Sequence, residues 1–200
     1  MEWDAVVLAG GPPERLGIEQ CELRFQGRSL LNIALDAVMR AETRVVVGPD
    51  RPGMPEDCRC VIEQPRFAGV LAALETGLGA LDPEEPAFVA VVAADQPYAD
   101  DALAVVLSEV AVHSPYDGWV ASDPSGHASP LLAVYRKAAL WTAFERLREA
   151  GVLAGADIHH LVAGLALKPV RLLGFLCVDA DGPEDVAELG LEVPELPGQR

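Results

Sequence analysis

The chain of 200 residues is long enough for one globular domain, and half of its residues are hydrophobic, which favours a folded core over disorder. Its 15 Lys and Arg residues are outnumbered by 31 Asp and Glu residues, giving a net charge of −16. Nucleic acids and anionic membrane surfaces bind clustered cations, so neither is expected as a partner. The only lysines are Lys137 and Lys168, and none precedes them in the chain.

The sequence shows no targeting or membrane-spanning features. The first residues lack the basic stretch and long apolar run of a signal peptide, and no apolar run approaches the roughly 18 residues of a membrane helix. The cysteines are Cys21, Cys58, Cys60 and Cys177. Cys58 and Cys60 could suggest a metal site, but no second Cys or His pair follows at zinc spacing, which favours ordinary reduced thiols. We therefore expect a cytoplasmic protein that is a monomer or a small homo-oligomer.

Short apolar runs alternate with segments of helical periodicity. Strands are predicted at residues 5–8, 44–47, 60–62, 88–93, 118–121 and 131–135. Helices are predicted from apolar residues at helical spacing, around residues 31–38, 71–78, 103–110 and 140–147. Strands of this kind alternating with helices are typical of a largely parallel sheet with helices on both faces. The pattern predicts a three-layer, Rossmann-like α/β domain over residues 1–192, followed by a flexible tail at 193–200.

The loop that follows the first predicted strand contains two adjacent glycines, Gly10 and Gly11. In a parallel α/β sheet ligands bind beyond the carboxyl ends of the strands. Glycines allow the backbone to approach a ligand and to direct N–H groups at phosphate oxygens, and Arg15 adds a cationic fork. The glycines alone slightly favour a plain strand-to-helix turn.

Asp95 follows the most apolar predicted strand, within the run Ala-Ala-Asp-Gln-Pro-Tyr. A carboxylate at the end of a buried strand is suited to bind Mg²⁺, which prefers oxygen ligands and often bridges substrate phosphates. It is equally suited to cap the turn before Pro97 or the helix that begins near Asp100. The local sequence leaves both roles open.

A second acidic motif lies near the end of the chain, where Asp179 and Asp181 are separated by one residue. In an extended segment this spacing places both carboxylates on one side, where they could provide a second metal contact. Pro183 at a first helical turn, with Asp181 near the N-cap, is an equally good structural interpretation. The two roles are compatible.

These segments together resemble the MobA-like nucleotidyltransferases, the family of the molybdenum cofactor guanylyltransferases. The resemblance is carried by Leu8-Ala9-Gly10-Gly11, Arg15-Leu16-Gly17, the turn from Gly27 to Leu31, Asp95 and the run from Asp179 to Asp185. Weaker matches lie at residues 63–71 and 126–136. The resemblance implies a nucleotide-diphospho-sugar transferase-like fold in which residues 8–11 hold the base and triphosphate and Asp95 binds the metal.

The resemblance also implies a reaction, the Mg²⁺-dependent transfer of GMP from GTP to molybdopterin with release of pyrophosphate. Arg15 and Asp95 would be the catalytic residues, and Asp95 with Asp179 or Asp181 would hold Mg²⁺. The nucleotide would contact Leu8, Ala9, Gly10, Gly11, Arg15, Gly17, Gln20, Gln64 and Asp95. A reaction with CTP or with another phosphate acceptor is one alternative. A nucleotide-binding protein with weakened catalysis, acting in assembly or regulation, is another.

Two positions depart from the family pattern. Gln20 stands where the family has a lysine that clamps the phosphates, and a neutral amide cannot supply that charge, although Arg15 and Arg24 flank the position. Removing one preorganised donor costs about 10²–10³ in rate, so this change predicts a slow enzyme. Gln64 stands where the family uses an aspartate to recognise the base. We interpret His127, His159 and His160 as surface residues.

Overall fold

The computed structural model describes residues 1–11, 17–153 and 156–194. The elements in chain order are β1 (Asp4–Leu8), β2 (Arg24–Phe25), β3 (Arg28–Ser29), α1 (Leu30–Ala37), β4 (Arg44–Val47), β5 (Cys58–Val61), α2 (Val70–Gly79), β6 (Phe88–Ala93), α3 (Ala99–Ser108), β7 (Gly118–Ser122), β8 (Ala128–Arg136), α4 (Lys137–Glu149), α5 (Ile158–Val162), β9 (Leu167–Arg171) and α6 (Pro183–Glu188). Short 3-10 helices lie at Gln20–Glu22 and Gly174–Cys177.

A seven-stranded sheet in the order β5-β4-β1-β6-β8-β7-β9 forms the middle layer. β1 pairs in parallel with β4 and β6, and β4 pairs in parallel with β5. β8 runs antiparallel to both β6 and β7, whereas β9 is parallel to β7. β8 is therefore the one strand of this sheet that opposes the other six, and the predicted largely parallel α/β fold is confirmed.

Helices cover both faces of the sheet and bury two apolar clusters. The neighbouring residues Val6 and Val7 point to opposite faces of β1 and belong to different clusters, as the alternation of side chains along a strand requires. Helices α1 and α3 pack on one face, and α2, α4 and α5 pack on the other. Each fully buried aliphatic side chain contributes about 1.5–3 kcal/mol, so this double layer holds the strand ends in fixed positions.

The predicted strands and helices differ from the structure mainly at the edges of the sheet. β5 begins at Cys58, two residues before its predicted start, and ends at Val61, which leaves Ile62 exposed. An edge strand is only partly buried, so its hydrophobic pattern marks its ends weakly. β9 was not predicted, because it is a short edge strand that includes Lys168 and Arg171. Of the predicted tail, residues 195–200 lie outside the described residues.

All four cysteines are free thiols in this structure. In the ranges that the structure describes, no helix has the length and apolar character needed to cross a membrane.

Candidate functional site

Two adjoining cavities open at the carboxyl ends of β1 and β6. The first has a volume of about 210 Å³. Of the residues predicted to bind a nucleotide, it is lined by Leu8, Ala9, Gly10, Gly11, Gln20 and Asp95. The loop that contains Gly10 and Gly11 (the glycine loop) and the segment around Asp95 (the acidic motif) lie more than 80 residues apart in the chain, and both line this cavity.

The second cavity has a volume of about 170 Å³ and shares Ala93, Asp95 and Leu131 with the first. Its polar lining includes Gln96, His127, Ser129, His159 and Asp179. Asp95 lies on the wall that the two cavities have in common, so a group in either cavity can approach its carboxylate.

Backbone hydrogen bonds fix the glycine loop against the neighbouring strands. The N–H of Ala94 donates to the carbonyl of Leu8, and the N–H of Ala9 donates to the carbonyl of Val47, both at 2.9 Å. Gly48 follows Val47 directly, and a Cβ placed there would lie 2.9 Å from the carbonyl oxygen of Ala9. Only glycine permits this approach, which brings the ends of β1 and β4 together beneath the first cavity.

The carboxyl group of Asp95 is buried, and its Oδ1 has no hydrogen-bond partner among the described residues. Burial, together with the nearby charges of Asp179 and Asp181, raises the pKa of Asp95 from its ordinary value of 3.8 to about 7, and burial is the largest cause. A buried carboxylate oxygen without a partner is costly, and a bound cation would relieve that cost. Asp95 therefore has the environment expected of a cation ligand.

Two glutamine side chains hold the segment from Asp179 to Asp181 beside Asp95. The Gln96 amide donates to Oδ1 of Asp179 at 3.0 Å, and the Gln20 amide donates to the carbonyl of Ala180 at 3.0 Å. The N–H of Ala180 in turn donates to the carbonyl of Asp95 at 2.9 Å. Hydrogen bonds of the Ala180 backbone thus connect the C-terminal segment both to Gln20 and to Asp95.

The two C-terminal carboxylates have different surroundings. Asp179 lines the second cavity, whereas Asp181 is exposed and lines neither cavity. Helix α6 is capped at Gly182, and the carboxylate of Asp185 accepts hydrogen bonds from the N–H groups of Asp181 and Gly182 at 3.0 and 2.8 Å. Asp181 therefore lies next to the N-cap and Pro183 lies in the first turn, as the structural interpretation of this segment expected, while the carboxylate that accepts the N–H groups is that of Asp185.

An aromatic stack supports the acidic motif from outside the cavities. The ring of Tyr98, three residues after Asp95, packs edge-to-face with Phe25 at 5.0 Å and with Phe175 at 5.3 Å between ring centroids. Such pairs contribute about 0.5–1.5 kcal/mol each beyond the burial of their surface. The contacts fix the turn between β6 and α3 that presents Asp95.

The remaining predicted site residues lie elsewhere or beyond the described ranges. Arg15 belongs to residues 12–16, which lie outside the described residues. Gly17 and Gln64 line neither cavity, and Gln64 is exposed. Its neighbour Glu63 is instead buried against the first cavity, where its carboxylate accepts the N–H of Phe67 at 2.7 Å.

The histidines predicted at the surface differ in their placement. His159 and His160 are exposed, as predicted, and His160 lies beside Asp157 at the start of α5. His159, however, also borders the second cavity, as does His127. No local pattern predicts this, because the two residues lie 32 positions apart and approach the cavity through the packing of α5, which carries His159, against β8, which begins directly after His127.

No set of three His, Cys, Asp or Glu side chains within the described ranges could hold a metal ion without further ligands. Mg²⁺ usually keeps several waters and takes one or two carboxylates together with substrate phosphates. Asp95, with its unpaired buried oxygen, fits that requirement, and Asp179 is near enough for its charge to act on Asp95.

Two arginines, Arg51 and Arg66, lie beside segments that line the first cavity. No Lys or Arg lines either cavity in the part of the chain that the structure describes. Arg51 and Arg66 both form ion pairs with Glu19, the residue before Gln20. Neither arginine was predicted to belong to the site.

Comparisons with known proteins show the family of the chain and agree with its fold. The family model for the MobA-like NTP transferase domain matches residues 5–163. Similar solved structures include molybdopterin-guanine dinucleotide biosynthesis protein A from Archaeoglobus fulgidus, with 20% identity, a TM-score of 0.65 and coverage of 93% of this chain and 96% of that chain. The 2-C-methyl-D-erythritol 4-phosphate cytidylyltransferase from Thermus thermophilus has 19% identity, a TM-score of 0.67 and coverage of 94% and 97%.

The corresponding cytidylyltransferase from Francisella tularensis has 12% identity, a TM-score of 0.72 and coverage of 95% of this chain and 99% of that chain. At these identities the likeness concerns the fold. None of the curated protein sequences compared with the chain matches it.

Proposed function

The chain belongs to the MobA-like NTP transferase family, and on that basis we propose that it transfers GMP from GTP to the phosphate of molybdopterin and releases pyrophosphate. The family is one of nucleotidyltransferases. The choice of GTP and of molybdopterin depends on the resemblance of the glycine loop and the acidic motifs to the guanylyltransferases. CTP and other phosphate acceptors are the substrates against which this choice has to be tested.

The observation that carries the proposal is the pair of cavities that meet at Asp95. The first is bounded by the glycine loop and suits a nucleotide, whose phosphates would lie near the backbone of Gly10 and Gly11. The second is bounded by Ser129 and two histidines and suits a polar acceptor. A transfer reaction requires two ligands whose reacting phosphates meet, and the shared wall provides the meeting point.

In the proposed reaction an oxygen of the acceptor phosphate forms a bond to the α-phosphorus of the nucleotide. The bond between that phosphorus and the oxygen bridging to the β-phosphate breaks, and pyrophosphate leaves with the electron pair. Such reactions depend mainly on positioning and charge and need little proton transfer. The residues of this chain would therefore act by orienting both phosphates where the two cavities meet.

Mg²⁺ is part of the proposal. Asp95 would bind the ion, and Asp179 would contact it from the second cavity, which both residues line. When bound, the ion would offset the negative charge that spreads over the phosphates during transfer. Gln96 would orient Asp179 through the hydrogen bond to its carboxylate. Binding of the ion would also return Asp95 to its ionised form by lowering its pKa.

The proposal is tested by measuring pyrophosphate release with GTP, CTP or ATP in the presence of molybdopterin and Mg²⁺. We expect release with GTP that requires both the acceptor and the metal, that ceases with EDTA and that is lost in Asp95→Asn. Asp181→Asn is the matched control, because Asp181 lines neither cavity and should keep most of the activity. Release with CTP in preference to GTP would overturn the choice of base.

One observation favours a second candidate function, a nucleotide-binding protein with weakened catalysis. Gln20, at the position of the family's lysine, uses its amide to hold Ala180 and brings no positive charge to the first cavity. Mg²⁺-dependent binding of GTP without pyrophosphate release from any acceptor would support this function and contradict the transferase proposal.

A further inference from the structure

Glu19 is the meeting point of two arginines that come from different parts of the chain. Arg51 donates to Oε2 of Glu19, and Arg66 approaches Oε1 at 3.4 Å. Glu19 directly precedes Gln20 and Cys21, which line the first cavity. Arg66 directly precedes Phe67, which also lines it. The pair formed by Glu19 and Arg66 therefore joins two segments of the cavity wall at its rim.

The two arginines differ in how firmly they are held. The side chain of Arg51 is 14% exposed and also donates to the carbonyls of Pro49 and Ala9 at 3.1 and 3.3 Å. The side chain of Arg66 is 46% exposed and lies over the ring of Phe67, at 4.6 Å from the guanidinium carbon to the ring centroid. Arg51 is thus a fixed anchor for Glu19, whereas Arg66 has the freedom to exchange its partner.

A triphosphate in the first cavity would compete with Glu19 for Arg66. An exposed ion pair contributes little stability and is readily exchanged, and a triphosphate offers several negative charges and more acceptor oxygens than one carboxylate. Guanidinium groups bind phosphate oxygens in pairs of hydrogen bonds, which favours the exchange. Among the residues that the structure describes, the lining of this cavity contains no Lys or Arg, and the neutral Gln20 lies where the family resemblance predicts a cation, in a chain of net charge −16.

We propose that Arg66 binds the phosphates of the nucleotide. Before the nucleotide binds, Glu19 holds Arg66 at the rim, and the nucleotide then replaces Glu19 as the partner of Arg66. Arg51 keeps Glu19 in place during the exchange, so that Glu19 limits the affinity for phosphate by competing for Arg66. This inference rests on the proposed binding of a nucleoside triphosphate in the first cavity. It assigns a source of positive charge that compensates for Gln20.

The experiment compares the binding of GTP, guanosine and inorganic tripolyphosphate to the full chain by titration calorimetry. The affinity of a ligand that binds too weakly for direct titration is measured by its competition with GTP. We expect Arg66→Gln to weaken GTP and tripolyphosphate about tenfold, which corresponds to the loss of one charge-assisted contact of about 1.4 kcal/mol. Guanosine should bind Arg66→Gln as it binds the unmodified chain. Glu19→Gln should tighten GTP about threefold, because the competing charge is gone and the repulsion of phosphates is reduced.

Arg148→Gln is the matched control, because Arg148 is similarly exposed, pairs with Glu75 on a helix and lines neither cavity. Unchanged GTP affinity in Arg66→Gln would overturn the inference, as would an equal loss for guanosine or a loss in Glu19→Gln. Thermal unfolding verifies that each variant is folded. Failure of the unmodified chain to bind any nucleotide would instead contradict the proposed function, so the two failures are distinguishable.

Discussion

The side-chain amide of Gln20 donates a hydrogen bond of 3.0 Å to the carbonyl oxygen of Ala180, 160 positions further along the chain. Because the N–H of Ala180 donates to the carbonyl of Asp95, the bond connects the glycine loop to the acidic motif through the C-terminal segment. Gln20 therefore has a structural role at the position where the family resemblance predicts a phosphate-binding cation. Different substitutions of Gln20 should therefore change different properties: loss of the hydrogen bond should lower stability, and an added positive charge should raise the rate.

Gln20→Lys should increase kcat/KM for pyrophosphate release by about 10²–10³, the usual contribution of one preorganised donor to a developing charge. An ammonium group can still donate to the carbonyl of Ala180 while adding the missing positive charge at the first cavity. Steady-state rates with saturating Mg²⁺ measure the effect. Gln20→Met is the control, since it should lower the free energy of unfolding by about 1 kcal/mol without raising the rate. Equal rates in Gln20→Lys and the unmodified chain would show that this charge does not limit turnover.

The raised pKa of Asp95 predicts how the stability of the metal-free protein depends on pH. Folding raises this pKa from 3.8 to about 7, so the folded state binds the proton more tightly than the unfolded state. The resulting stabilisation is fully present below pH 3.8 and is lost as the pH rises through 7. At about 1.4 kcal/mol per pH unit, the contribution lost is about 4 kcal/mol. Urea unfolding in EDTA at a series of pH values measures it.

Asp95→Asn removes the titrating group and provides the comparison for that experiment. Its free energy of unfolding should lack this fall between pH 4 and 7 and should exceed that of the unmodified chain at pH 8. Mg²⁺ together with nucleotide should stabilise the unmodified chain at pH 8 and should not stabilise Asp95→Asn. Identical pH profiles for the two proteins would contradict the assigned burial of this carboxylate.

The fold and the centre of the candidate site could be predicted because they depend on local patterns. The run from Phe88 to Ala93 is apolar at every position and is buried on both faces, and Asp95 lies two residues after its end. The glycine loop follows β1 in the same way. In a parallel sheet these strand ends necessarily share one edge, which brings the two motifs to the same cavity.

The rim of the site could not be predicted, because it is formed by residues that are distant in the sequence. Glu19 meets Arg51 and Arg66 across 32 and 47 positions, and no periodicity relates them. The assignment of Gln64 rather than Glu63 depended on the alignment of one loop. A shift of one residue there exchanges an exposed side chain for one that faces the cavity.

Lys137 and Asp4 form a buried ion pair at the end of β1 that is remote from the cavities. The ammonium group lies 2.6 Å from the Asp4 carboxylate and also donates to the carbonyl of Asp82 at 2.7 Å, and both side chains are 1% exposed. Lys137→Met should lower the free energy of unfolding by about 3–5 kcal/mol, because it leaves the carboxylate buried without its partner. Urea unfolding at pH 7 measures the loss.

The double variant Asp4→Asn/Lys137→Met distinguishes the stability lost by leaving a charge buried without its partner from the stability lost through altered packing. It should recover part of the stability that Lys137→Met loses, because no unpaired charge remains buried. The affinity of the folded protein for nucleotide should not change in either variant, since Asp4 and Leu8 lie at opposite ends of β1. A loss below about 1 kcal/mol in Lys137→Met would contradict the burial of this pair.

Gly77 allows helix α2 to lie directly on the sheet. A Cβ at this position would meet side-chain carbons of Val6 at 2.5 Å and of Val47 at 2.9 Å, which belong to the strands that end beneath the first cavity. The helix therefore has to move outwards or the valines have to change rotamer in Gly77→Ala. Overpacking of this kind costs about 1–3 kcal/mol of stability.

Gly79, at the end of the same helix, is the matched control because a Cβ there meets nothing within 4 Å. Gly79→Ala should leave stability unchanged or increase it by up to about 1 kcal/mol, since alanine loses less backbone entropy in a helix. Because α2 starts at Val70 on the wall of the first cavity, Gly77→Ala should also weaken GTP binding, whereas Gly79→Ala should not. Thermal unfolding and titration of both variants decide the point, and equal stability of the two would show that α2 tolerates a side chain at the sheet.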